Sequence, residues 1–295
     1  MNDIRINSIE KLISLRIAET GKHNVSNQSI SSFSLRQTNI NSRECPHCGS
    51  HNVVSKGNYK ARKRYQCHDC RKSYNDLTNT PFSGIHHLKK IKQYLNCLLR
   101  GDSIRKAADF VEISSTTSFR WRHKLLNGLN QLPSPKMKNV KEMLELEIPY
   151  SHKGQRTQLS DFQRRSKVSA VFVCDRTGKL DSDSIAFPKR ASNPIFNRIK
   201  EISNEHTDVI CSPKLNNIIT NLNINVKSAH SSYTKPQIIN QTVSTWQVWM
   251  KRFHGVASKY LSNYLHWFDY LDNTLFQQDE IANFIQLELK HKLEY

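Results

Sequence analysis

The residues with the most chemically specific spacing are four cysteines. Cys45-Pro-His-Cys48 and Cys67-His-Asp-Cys70 form two Cys-x2-Cys pairs separated by eighteen residues. That spacing lets four thiolates meet around one tetrahedral zinc ion, in a closed site whose role is to stabilise a fold rather than to catalyse. His47, His51 and His68 lie close by, but four cysteines already fill the shell. Between the pairs, Val53 and Val54 lead through Gly57-Asn58 to Arg64-Tyr65, which reads as a hairpin turning at the glycine. Lys60, Arg62, Lys63, Arg64, Arg71 and Lys72 surround this segment, with the charge to neutralise phosphates or to form an ordinary solvated basic face.

A second pattern spans residues 103–127. Ile104, Ala107 and Ala108 share one helical face, a break follows near Glu112, and Ser114 is an N-cap candidate for a second helix. Ser115, Thr116 and Thr117 open that helix and Arg120, Trp121, Arg122 and Lys124 continue it. Small polar groups followed by cations suit a helix whose N-terminal end enters the major groove of DNA, although helical hairpins also serve as plain scaffolding. The residues expected to contact bases or the groove are Arg105, Thr116, Thr117 and Arg120. Lys63, Arg64, Arg122 and Lys124 are expected on phosphates. Phe119 and Leu125 are expected to pack inward, and Trp121 fits either role.

The elements that must position these groups follow from composition. The 295 residues carry 44 Lys and Arg against 25 Asp and Glu, a net charge of +19 and a pI near 9.7. Such a chain attracts polyanions. Residues 45–130 alone hold sixteen Lys and Arg against five Asp and Glu, a balance of +11. No apolar run of eighteen residues exists, and Glu10, Lys11, Arg16 and Glu19 interrupt the N-terminal stretch, so no membrane segment or signal peptide is expected and the cytoplasm, at the nucleoid, is the expected location. Seven cysteines in a reducing compartment favour metal binding over disulfides; Cys97, Cys174 and Cys211 read as buried apolar groups.

The expected architecture is multidomain α+β. Residues 1–43 form an N-terminal helix and polar linker, 44–76 a zinc ribbon, and 77–132 a helix-turn-helix domain. After a linker with Pro133 and Pro135 comes a mixed α/β domain over 139–275, then a C-terminal helix over 276–295. Strand-like segments cover 139–148, 166–174, 183–188 and 207–211.

The order of these features, with CPHCGS (45–50), RYQCHDCRKSY (64–74), TNTPF (78–82), FRWRHKLL (119–126), IPYSHKG (148–154) and RFHGVASKYLSNYLHWF (252–268), resembles the ISXO-like insertion-sequence transposases over residues 45–272. The resemblance implies an RNase H-like catalytic domain of the DDE type. In such a domain carboxylates hold two divalent metals for cleavage and strand transfer at transposon ends. It also implies a homo-oligomer on double-stranded DNA. The catalytic positions depart from the family pattern. The first aspartate falls on Leu144, the second motif carries Pro213, and the third keeps Asn240 but has Val243 and Gln247 where polar groups belong. Carboxylates that could substitute are Glu142, Glu145, Glu147, Asp175 and Asp208. The expectation is therefore a transposase-like zinc protein that binds DNA without nuclease activity, for instance as a transcriptional regulator. The alternative is an active transposase using displaced carboxylates and Mg2+.

Overall fold

The computed structural model describes residues 44–59, 62–129, 137, 140–155, 167–185, 208–211, 226–228 and 238–273. The expectations for 1–43, for 276–295 and for Pro213 lie outside the described residues. Contacts divide the chain into two compact units, which meet in sequence between Leu132 and Pro133. Together the described residues contain two sheets and five α-helices, a mixed α+β composition.

The first unit opens with an antiparallel three-stranded sheet, β1 (Val53–Tyr59), β2 (Arg62–Cys67) and β3 (Ser73–Asn75). The hairpin differs from its expected form. Tyr59 pairs with Arg62, so the chain reverses beyond Gly57-Asn58, and the register shifts between Ser55 and Asn58. Gly57, at a φ of 72°, therefore serves a bulge within β1 rather than the turn. A glycine is needed in either place, which is why composition alone did not separate them.

After β3 the chain runs through tight turns. The Asn75 side chain accepts from Leu77 N–H, Thr78 Oγ1 accepts from Asn75 N–H, and Thr80 Oγ1 donates to the Leu77 carbonyl. Asn79 Nδ2 reaches back to the Pro46 carbonyl at 2.6 Å, joining the TNTPF segment to the first cysteine loop. Three helices follow: α1 (Leu88–Leu99), α2 (Ile104–Val111) and α3 (Ser115–Leu129). Ser103 caps α2 by accepting from Lys106 N–H, and Glu112 ends it in the left-handed conformation at a φ of 54°. Ile91, Leu95, Leu98, Ala107, Ala108, Val111, Leu125 and Leu126 fill the space between the helices.

The second unit is built on a five-stranded sheet of order β6-β5-β4-β7-β8. Its strands are β4 (Val140–Pro149), β5 (Lys167–Asp175), β6 (Leu180–Ile185), β7 (Asp208–Cys211) and β8 (Val226–Ser228). β4, β5 and β6 form an antiparallel meander, and β7 and β8 extend it in parallel on the far side of β4. β5 is buried along most of its length and reads as the apolar run of a central strand.

Helices α4 (Ile238–Lys251) and α5 (Leu261–Asn273) belong to this unit. Trp246 meets Phe172 of β5 at 5.2 Å. Trp249, Phe253, Tyr264, Trp267 and Phe268 interlock between the helices, with Trp249 and Trp267 5.0 Å apart and edge-on. The strand expected at 183–188 begins three residues earlier. Leu180-Asp181-Ser182 is polar, yet Asp269 of α5 accepts from both Ser182 N–H and Ser182 Oγ, so its hydrogen bonds are satisfied inside the fold. β8 is three residues long and left no periodic signal to find.

Asp269 is fully buried, and desolvation together with the charge of Asp181 raises its carboxyl well above the ordinary range. The native state thus holds this proton more tightly than the unfolded chain, whose carboxyl titrates near ~3.9. The stability it contributes is full below that value and is withdrawn as pH rises through the raised native pKa. Asp269→Asn has no proton to lose, so its unfolding midpoint in a pH series of thermal melts should fall less than that of the parent protein as pH rises from 4.

Candidate metal centre and nucleic-acid interface

Sulfur geometry defines the first site. The four Sγ atoms of Cys45, Cys48, Cys67 and Cys70 all lie within 4.8 Å of one another, with Cys45–Cys70 and Cys48–Cys67 each at 3.6 Å. Tetrahedral zinc with Zn–S bonds of ~2.3 Å requires sulfurs roughly 3.75 Å apart, so the donor set fits such an ion. The two loops that present the sulfurs are built alike. Cys45 N–H donates to the Ser50 carbonyl at 2.8 Å and Cys67 N–H to the Lys72 carbonyl at 3.1 Å. In each loop the residue after the second cysteine is left-handed, Gly49 at a φ of 73° and Arg71 at 58°. The backbone N–H groups of Cys70 and Asp69 hold the Cys67 thiol down at about 7 against desolvation, while desolvation and the neighbouring cysteine thiols push the Cys48 thiol up to about 12. Asp69 joins the loops by accepting from Ser50 Oγ and, at 3.0 Å, from Asn52 Nδ2; both bonds hold its carboxyl below the usual range.

The sheet beside this cluster has almost no apolar core. Cys45, Cys67 and Tyr74 are its buried members, with Val53, Tyr65 and Cys70 packed around them. Tyr65 stacks on Tyr74 at 5.4 Å, and Lys63 lies over the Tyr65 ring. Arg64 lies 5.9 Å from the exposed Tyr59 ring. Lys63 is exposed and Arg64 half-buried, each with its stem held against an aromatic face.

Helix α3 is held in place by polar contacts beneath it. Ser114 Oγ accepts from Thr117 N–H at 3.1 Å and lies 2.8 Å from Thr117 Oγ1, so the Thr117 hydroxyl takes part in the cap. The fully buried Ser118 donates to the Ile104 carbonyl at 2.9 Å, and Tyr94 Oη donates to the Ser118 carbonyl. Tyr94 also meets Trp121 edge-on at 5.4 Å, which settles Trp121 as a core residue. Leu125 is buried as expected.

Two expectations on this helix are corrected. Arg122, assigned to phosphates, is fully buried and donates through Nη2 to the Asp102 carbonyl at 2.6 Å. Asp102 is itself buried and paired with Arg100 at 2.8 Å and Lys106 at 3.0 Å. Phe119, assigned to the core, is instead 39% exposed and stands edge-on to His123 at 4.3 Å. A helix buries whichever face its neighbours dictate, and here that face carries Ser118, Trp121, Arg122, Leu125 and Leu126. Thr116 and Arg120 lie on the exposed side with Phe119, and Arg105 is exposed on α2. Lys124 is exposed but its Nζ is tied to the Ser83 carbonyl.

The positions that the transposase resemblance marks as catalytic do not assemble a metal site. Leu144 is half-buried opposite Phe172, Val243 is buried, and Gln247 and Asn240 are exposed on α4. The candidate substitutes are engaged elsewhere. Glu142 is fully buried, accepts from Ile239 N–H at 2.9 Å and lies 2.9 Å from Arg176 Nη1. Glu145 accepts from Ser169 Oγ, and Glu147 pairs with Lys167 at 2.9 Å. Asp175 closes a turn by accepting from Thr177 N–H, Thr177 Oγ1 and Lys179 N–H. The side chain of Asp208 lies outside the described residues. Among the described residues, the four cysteines are the one group of three or more potential ligands close enough to share an ion.

Sequence reasoning did not foresee that two resemblance segments about a hundred residues apart bind each other. Ser151 N–H donates to Ser258 Oγ at 2.8 Å and Ser258 N–H to the Ser151 carbonyl at 3.0 Å. Lys153 Nζ donates to the carbonyls of His254 and Gly255, which are consecutive left-handed residues. The glycine and the lysine were visible in the sequence; their meeting was not.

No protein-family model matches the chain. Over 112 residues, 37% of its length, it is 29% identical to an uncharacterized protein in transposable element ISH50 of Halobacterium salinarum. The match spans 38% of that protein, so most of the relative has no counterpart in the alignment. A chain of the pre-cleavage Mos1 transpososome superposes on 65% of this one and over 73% of its own length, with a TM-score of 0.30 and 10% identity. Superposition at that level does not establish a shared fold. No helix among the described residues is long and apolar enough to cross a membrane.

Titrating the chain with a strong chelator should release one zinc ion, read by a chromogenic indicator, and collapse the β1–β2 hairpin amide signals while the α1–α3 signals persist. Cys67→Ser should do the same without chelator. Arg122→Ala leaves the buried Asp102 carbonyl without its donor and should lower stability by about 1–3 kcal/mol in chemical denaturation, whereas Arg120→Ala should change it by less than about 0.5 kcal/mol.

Proposed function

We propose that this chain is a transposase-derived, zinc-stabilised protein that binds double-stranded DNA through α3 and has lost nuclease chemistry. One observation carries the reading: the first two turns of α3 present Thr116 and Arg120 outward, on a helix held from beneath by Tyr94, Ser118 and Arg122. A helix held that firmly can deliver side chains to base edges in one register. The surrounding charge supports the same reading, because residues 45–130 carry a balance of +11 and duplex DNA is the polyanion whose groove admits a helix. Zinc would be held by Cys45, Cys48, Cys67 and Cys70, where its chemistry is structural. Lys63 and Arg64 on the adjoining hairpin would neutralise phosphates, and Arg105 would flank the groove. The similarity to a transposable-element protein of Halobacterium salinarum supports the mobile-element origin.

The loss of chemistry rests on what the carboxylates do instead. Each described candidate is committed to a cap, a turn, an ion pair or a cross-strand hydrogen bond, and Leu144 offers no oxygen ligand to a hard cation. A site-specific DNA-binding protein without nuclease activity acts by occupying its site, as a regulator of transcription or as a competitor of active relatives. One contact favours the alternative, an active insertion-sequence transposase. Glu142 bonds Ile239 N–H, which brings a carboxylate of β4 within one residue of Asn240, the retained polar position of the third motif.

Selection from a randomised duplex pool followed by salt titration tests the proposal. The chain should enrich a defined sequence, Arg120→Ala should relax the preference by about 1–3 kcal/mol at one position, and Lys63→Ala should weaken all sequences alike and lower the salt slope by about one. With Mg2+ or Mn2+ on fragments spanning the flanks of its own gene, no strand nicking should accompany the protection. Nicking at a fixed position that Glu142→Gln abolishes would establish the alternative.

A further inference from the structure

Helix α3 buries every large apolar side chain it carries except one. Trp121, Leu125, Leu126 and Leu129 face inward, and Phe119 stands out at 39% exposure. Part of this ring remains in water on the outer surface, so it keeps apolar area that a partner could cover. Its direction is set. Phe119 lies one turn after Thr116 and one turn before His123, whose ring meets it edge-on at 4.3 Å. Arg120 is exposed beside it. The ring therefore sits in the second turn of the helix, among the residues that the reading above sends to the floor of the major groove.

We propose that Phe119 is a specificity-determining residue that packs against the 5-methyl group of a thymine. The inference rests on the assignment of α3 as the DNA-reading helix. A phenyl ring can neither donate nor accept a hydrogen bond, and the one apolar feature on the major-groove edges of the four base pairs is that methyl group. Cytosine, adenine and guanine present donors and acceptors there, which the ring would leave unpaired and dehydrated. The neighbours fit the same surface: Arg120 supplies the cation that draws the helix into a negative groove, and Thr116 is small enough to let the ring approach.

Deoxyuridine tests this directly, because it removes the methyl and nothing else. The whole chain and its Phe119→Ala variant are each taken through duplex selection, and every thymine of the selected site is then replaced singly by deoxyuridine. One replacement should weaken the parent protein about threefold to tenfold and leave Phe119→Ala unchanged, with Phe119→Leu in between. Because the ring is partly buried against His123, the methyl effect is read as the thymine-to-deoxyuridine ratio within each variant, which a change in stability does not move. If every deoxyuridine affects parent and Phe119→Ala equally, or none affects either, the proposal falls. Arg120→Ala in the same selection separates the two levels. Relaxed preference without any methyl effect removes the role of Phe119 alone, and unchanged preference or failure to select any sequence removes the reading of α3 as well.

Discussion

Both units depend on one constraint: a polar side chain bound to the backbone of a second element fixes where that element lies. Arg122 donates to the Asp102 carbonyl, and Glu142 accepts from the first turn of α4. Asp269 takes Ser182 N–H, and Lys153 takes the carbonyls of His254 and Gly255. Each of these bonds joins two elements distant in sequence, so each fixes the position of one element relative to another. Apolar packing supplies most of the free energy, but it is non-directional and would tolerate small slips of a helix along its neighbours. Backbone groups stand at one place only, and an ionised partner makes their bonds stronger than neutral ones. In the first unit that constraint orients the outward face of α3. In the second it holds the two resemblance segments together.

The metal centre meets a different demand. A three-stranded sheet whose buried members are Cys45, Cys67 and Tyr74 has too little apolar area to offset the entropy of ordering it. Four thiols converge where a core would otherwise be, and the amide hydrogen bonds of the two similar loops are spent on orienting sulfur. The ribbon then offers its exterior, where Lys63 and Arg64 lie against tyrosine faces, to another molecule.

In the second unit the described carboxylates are engaged by groups of the protein itself. Glu142 lies on the same face of β4 as Leu144, two residues away, and could in principle occupy the same neighbourhood. Its two oxygens are instead engaged by Ile239 N–H and Arg176, and it is wholly buried. Asp175 and Glu147 stand in a turn and a strand pair. Where catalytic chemistry needs oxygen atoms open to a cation, these are closed by the protein's own donors.

Four cysteines at the spacing of two Cys-x2-Cys pairs determined the metal cluster from sequence alone, because ligand geometry is set by short loops that carry their own hydrogen bonds. The helix boundary at Ser114 was equally legible, since a capping side chain acts within three residues. The strands of the second unit were visible where β-branched residues alternate, and were misplaced at Leu180-Asp181-Ser182, where polar strand residues are satisfied by a helix some ninety positions later. The faces of α3 were decided only in three dimensions. Hydropathy placed Phe119 inside and Arg122 outside, and the fold does the reverse. Tyr94, Ile104 and Asp102 come from α1, α2 and the turn between them; the Asp102 carbonyl accepts the Arg122 guanidinium, and the Tyr94 hydroxyl and Ile104 carbonyl bind Ser118. Local propensity acts over a few residues and determines which segments are helical. Which side of a helix faces water depends on the partners that arrive from elsewhere in the chain.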